Sequence, residues 1–243
     1  MINRIYAVVT VVMIGAICAT GCEGPWSSTT HSEPSWQEEF GISERTLVPT
    51  GRNPYFILEP GLHIVLERKG WFGSNEKLAI TVLDETKKVD GVITRVVEER
   101  EWKNGKLIEV SRNFFAMCER TKDVFYFGED VDMYKGGKVV SHSGAWLAGT
   151  NGAGAGLMIP GTPTVGMKYY QEIAPQVAMD RAKIVSMSET VKTPAGEFTN
   201  CLKVEETTPL QPFITEFKYY APGIGLIQDG KLLLAKYGFI EKE

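Results

Sequence analysis

Tight-turn dipeptides set between short runs of β-branched and aromatic residues constrain this chain more than any other feature. Asn104-Gly105 lies between residues 92–102 and 107–118. Asn-Gly there signals a two-residue hairpin, because both turn positions need positive φ. Gly136-Gly137 and Asp229-Gly230 punctuate the chain in the same way, and Thr193-Pro194-Ala195-Gly196 separates residues 182–191 from 198–206. Further strands are expected at 62–68, 78–84, 124–127, 139–146, 214–220, 226–228 and 232–239. Turns recur about every 8–15 residues, the spacing of an antiparallel sandwich or barrel. The expected fold is therefore all-β and mostly antiparallel, either a curved sheet, a half-barrel or a sandwich. Helix is limited to single turns at 35–44 and 174–182, and Pro175 interrupts the second.

The N-terminus sets the compartment. Arg4 precedes a thirteen-residue apolar run, Ile5 to Ile17, shorter than a membrane span and of signal-peptide length. Ala19-Thr20-Gly21-Cys22 follows and resembles the lipobox of bacterial lipoproteins, with Ala19 where leucine is usual. The resemblance implies cleavage before Cys22 and attachment of lipid to its thiol, a palmitate-type acylation. Two or more acyl chains anchor stably, whereas one is marginal. Ordinary cleavage after Gly21, releasing a soluble periplasmic protein, is the alternative. Residues 23–39 are rich in Ser, Thr, Pro and Gly and cannot bury enough apolar surface to order themselves. The expected division is a signal peptide over 1–21, an anchor and tether over 22–40, and a single β domain over 41–243. Glu23, where an inner-membrane retention aspartate would stand, favours the periplasmic face of the outer membrane.

Charge and cysteines narrow the rest. Loss of Arg4 lowers the basic count from 26 to 25 against 30 acidic residues, a net charge of −5. That balance argues against a nucleic-acid partner, which requires a concentrated basic face. Cys18 and Cys22 belong to export. Cys118 and Cys201 either form a disulfide, contributing about 3–5 kcal/mol by closing a long loop, or stay apart as buried thiols. Spacing leaves both open.

No catalytic set emerges. Gly149 to Gly156 lacks the Lys-Ser/Thr of a phosphate-binding loop, and Pro160 and Pro163 forbid the helix of a dinucleotide site. It reads as a long loop crossing between halves of the sheet. Glu129, Asp130 and Asp132 lack the further donors of a calcium loop. His31, His63 and His142 have no zinc spacing. Ser141-His142-Ser143 puts neighbours on opposite faces of a strand. No cofactor, metal site or catalytic residue is assigned. Phe213, Phe217 and Tyr219 alternate along one strand face, so an aromatic interior lined by Phe115, Phe125, Phe217 and Tyr219 is the expected ligand site. The hairpin over 95–102, polar on both faces toward its turn, is expected to project beyond the core.

The blocks Thr193–Val204, 205–210 and Lys218-Tyr219-Tyr220-Ala221-Pro222-Gly223-Ile224-Gly225-Leu226 resemble those of an uncharacterised family of bacterial exported β proteins. The resemblance runs back through Tyr126–Val131 to about Asp90 and implies no known activity. More distantly, the Ala-Pro-Gly-x-Gly ending is similar to Lol-type envelope lipoproteins, whose curved sheets hold acyl chains, an inference from fold alone. The expected role is non-catalytic binding of an apolar or lipid ligand. The alternatives are an assembly lipoprotein with an envelope protein partner and, behind it, a hydrolase.

Overall fold

A computed structural model describes residues 35–70 and 74–240. The described residues form eighteen strands: β1 Leu47–Val48, β2 Gly51–Asn53, β3 Phe56–Leu58, β4 Leu62–Lys69, β5 Asn75–Val89, β6 Val92–Lys103, β7 Lys106–Cys118, β8 Val124–Lys135, β9 Lys138–Ser141, β10 Trp146–Leu147, β11 Gly154–Ile159, β12 Lys168–Tyr170, β13 Glu172–Ile173, β14 Arg181–Thr193, β15 Gly196–Thr207, β16 Thr215–Ala221, β17 Gly225–Asp229 and β18 Leu232–Phe239. Helix among the described residues is one 3₁₀ turn at Ile42–Glu44. The turn expected over 174–182 is instead an isolated antiparallel bridge, Ala174 to Ala178.

One sheet takes sixteen of these strands, in the order β12-β14-β15-β16-β17-β18-β4-β5-β6-β7-β8-β11-β13, with β1, β9 and β10 beside it. Its pairings are antiparallel. The two ends of that path, β12 and β13, are consecutive in the chain, joined by Gln171. The sheet is therefore nearly a barrel, as the turn spacing predicts. Asn104 (φ 52°) and Gly105 (φ 74°) make the expected left-handed turn between β6 and β7.

Gly149 to Gly156, expected as a long loop, runs into β11, which pairs with β8 on one side and β13 on the other. Glycine is required here by proximity. A Cβ on Gly156 would collide with the backbone of Gln171, and one on Gly161 with the backbone of Thr121. The small residues let β11 lie close enough to complete the wall.

The compact unit that holds the sheet begins at Trp36, five residues before the expected domain start. Trp36 packs edge-on to Tyr170 at 6.3 Å and lies under the Arg181 guanidinium at 4.3 Å. Phe40 is buried against Phe125.

The sheet has two structured faces. On the outer side of β7 and β8, Phe125 is covered by Phe40 and by Arg45, whose guanidinium sits 5.1 Å from its ring. On the inner side, Phe115 stacks on Tyr126 at 4.7 Å and meets Phe56 at 5.0 Å, and Tyr126 meets Trp146 at 5.3 Å. The β2–β3 ribbon thus plugs one end of the near-barrel, called the lower end below. Asn53 fixes that plug by donating from Nδ2 to the carbonyls of Lys122 and Pro160.

Candidate functional site

The inner face can be followed strand by strand from register, since residues directly opposite share a face. Lys218 on β16 faces Asp229 on β17, which faces Leu232 on β18. Two residues on, Leu234 faces Leu66 of β4, which faces Leu78 of β5, then Glu101 of β6 and Glu109 of β7. In the other direction Lys218 faces Val204 of β15, and Glu216 faces Glu206. The interior therefore has an apolar stripe on β18, β4 and β5, flanked by acidic strands. Glu101, Leu232, Glu216 and Met133 point inward at the upper end yet remain half-buried, whereas the lower interior around Phe115 and Tyr126 is fully buried.

A polar cluster stands on β12, β15, β16 and β17. The Lys218 ammonium donates to Glu206 Oε2 at 2.7 Å, with side-chain exposures of 1% and 9%. Burial alone would lower the Lys218 pKa, but Asp229 and Glu206 outweigh it and hold the group well above the ordinary lysine value. Lys218 thus keeps its proton beside Glu206 in the interior. Tyr169, on β12, joins through Ala182, which faces Glu206. Burial, reinforced by the Glu206 charge, pushes the phenols of Tyr169 and Tyr220 up, so both keep their protons. Neither hydroxyl has a hydrogen-bond partner, and neither does Glu206 Oε1. Unsatisfied buried polar atoms are uncommon, and each such group demands an explanation.

Across the interior, Glu101 and Glu109 stand directly opposite one another on β6 and β7. Like charges so placed repel. Burial, then Glu109, Glu99 and Asp229 push Glu101 up to about 8. Burial and Asp229 likewise raise Glu216.

The residues expected to line an aromatic cavity do not come together. Phe115 and Phe125 are buried on opposite faces of the sheet, since Phe115 pairs with Tyr126 and Phe125 with Ala116. Phe217 and Tyr219 lie outside the barrel, half-buried beneath Lys203, whose ammonium is 4.6 and 5.5 Å from their rings. The inward face of β16 is the mixed one, Glu216, Lys218 and Tyr220. Alternation located two faces, but apolarity was the wrong guide to which points in, because the interior is charged.

Cys118 and Cys201 are separate buried thiols, so of the two readings the structure holds the unbonded one. His142 is exposed, its ring 2.9 Å from Asp132 and 2.8 Å from the Val131 carbonyl. Ser141 Oγ accepts instead from the Ser143 amide, so no hydroxyl is set against the imidazole. Asp130 pairs with Lys87 while Glu129 is buried on the other face. Among the described residues no three His, Cys, Asp or Glu side chains are grouped to hold a metal. The β6–β7 hairpin forms part of the wall and does not project at Glu98 and Glu99, which are buried. Glu98 is held on the outer side by Arg100 at 2.7 Å. Both faces of β6 are polar because one carries ion pairs and the other the acidic interior. Cys22 lies outside the described residues.

At the lower end, Arg52, Arg120, Lys122 and Thr162 border an open cleft of ≈ 490 Å³. Arg52 is committed to Glu59 through two bonds, 2.8 and 2.6 Å. No helix of the described residues is long and apolar enough to cross a membrane. No family model, curated protein or solved structure matches the chain.

Proposed function

We propose that this chain is an exported, lipid-anchored protein of the cell envelope that holds an apolar or lipid ligand inside its near-barrel sheet. The observations that support the reading are the number of strands in the wall and the lining of its inner face. About eight strands enclose a space that side chains just fill, and barrel diameter grows with strand number. Here thirteen strands lie on the path around the wall. The plug packs against Phe115 at the lower end, and the inward side chains Glu101, Leu232, Glu216 and Met133 at the upper end stay half-buried. Leu66, Leu78 and Leu234, fully buried on the same inner face, supply its apolar stripe. Those leucines replace Phe115, Phe125, Phe217 and Tyr219 as the lining.

Native mass spectrometry of the exported chain, followed by solvent extraction, tests the reading. A stoichiometric retained apolar molecule is expected, and a clean ligand-free mass would contradict it. The anchor is tested separately. Cys22→Ala should move the protein from the membrane fraction to the soluble one, and continued membrane attachment would contradict lipidation at Cys22.

One observation favours a second reading, an assembly role with an envelope protein. Strand β9 pairs with β8 and is exposed along its whole length, with Val139 and Val140 at 43% and 60%. An exposed edge strand can accept a strand from another chain. Under this reading Val140→Lys abolishes crosslinking to a protein partner in intact envelopes and leaves ligand retention unchanged. Crosslinking that survives the substitution would contradict it.

A further inference from the structure

We propose that the buried cluster of Glu206, Tyr169, Tyr220 and Lys218 is a binding site for a protonated amine. The inference rests on the reading of the interior as a ligand seat and names the head group that seat accepts.

The argument starts from the missing partners. Glu206 spends Oε2 on Lys218 at 2.7 Å and leaves Oε1 buried and unbonded. The hydroxyls of Tyr169 and Tyr220 are also buried and unbonded, on side chains 0% and 2% exposed. A carboxylate oxygen only accepts, so whatever completes Glu206 must donate. That rules out a carboxylate, phosphate or carbonyl at this position. Charge then separates the remaining donors. Glu206, Asp229 and Glu216 share this inner face with Lys218. An ammonium is favoured there over a neutral hydroxyl, since hydrogen bonds between ionised partners are roughly twice as strong as neutral ones. Both phenols feel the Glu206 charge, and each phenol oxygen, like Glu206 Oε1, can accept from an ammonium, which has three donors. The adjacent apolar stripe suits an alkyl chain. The same ammonium chemistry is presented by an aminolipid head group and by a free oligoamine.

The test uses the full exported chain and four probes: octylammonium, octanol, octanoate and spermidine, with affinities from calorimetry. Octylammonium should bind about tenfold or more tightly than octanol and octanoate. Tyr169→Phe combined with Tyr220→Phe should weaken octylammonium by a similar factor. Octanol binding should weaken less than octylammonium binding, and the Tm of the ligand-free protein should not fall. Equal or tighter binding of octanol or octanoate would overturn the amine site while leaving the apolar-ligand reading intact. Spermidine binding without an octylammonium preference would support the amine site and contradict the apolar tail. Binding by none of the four would contradict both. An octylammonium affinity untouched by the double substitution would overturn the placement at this cluster.

Discussion

At the scale of single residues, the interior of this protein is ordered by where charge is tolerated. Lys218 and Glu206 are worth little as a pair against an apolar replacement, but each is expensive to leave alone. Lys218→Met should destabilise the fold by about 3–5 kcal/mol, because Glu206 stays buried without its counter-charge. Adding Glu206→Leu should restore most of that loss. Chemical denaturation of the two variants measures both, and equal destabilisation by single and double substitutions would contradict the account. Glu101 makes a pH prediction. Its ordinary value is 4.5 and its folded value about 8, so between those limits the folded chain holds a proton that the unfolded chain has released. Stability must then fall as pH rises through that window and level off above it. Glu101→Gln should remove this part of the slope, seen as a flatter stability profile between about pH 5 and 8. An unchanged slope would place the raised carboxyl elsewhere. Sequence alone exposed none of this, because a carboxylate's pKa depends on cross-strand neighbours such as Glu109. What sequence did show was which residues alternate. It could not show which face of β16 turns inward, since Phe217 and Tyr219 find apolar cover outside, under the Lys203 side chain.

At the scale of elements, local chemistry was a good guide wherever it was local. Asn104-Gly105 and Gly136-Gly137 have positive φ at both positions and join the antiparallel neighbours expected of them. The short elements were not legible. Strands β2, β3, β12 and β13 are two or three residues long, too short to show period-two alternation, and they hold position through partners distant in the chain. β11 was misread for a related reason. Its glycine richness resembles loop composition, whereas Gly156 is there for close approach to Gln171, as Gly161 just beyond the strand is for Thr121. A side chain at Gly156 should therefore loosen the joint that completes the wall. Gly156→Ala is expected to lower stability by about 1–3 kcal/mol, the usual range for over-packing, with faster hydrogen exchange concentrated in β11 and β13. A neutral effect would show that the approach is not tight.

At the scale of the whole molecule, the wall and the plug follow from strand number and from the aromatic packing of β2–β3 against β7–β8. The turn spacing gave the all-β class and the curved sheet; strand count and closure through Gln171 emerged only in three dimensions. The central proposal is that an apolar ligand lies inside this wall, and site-specific photocrosslinking from within the full chain tests it most directly. A photoreactive residue replacing Leu232, which faces Asp229 on the inner side, is compared with one replacing Tyr219 on the outer side. The account predicts covalent capture of a co-purifying apolar molecule at position 232 and none at 219. Capture at 219 alone, or at neither position, would contradict it.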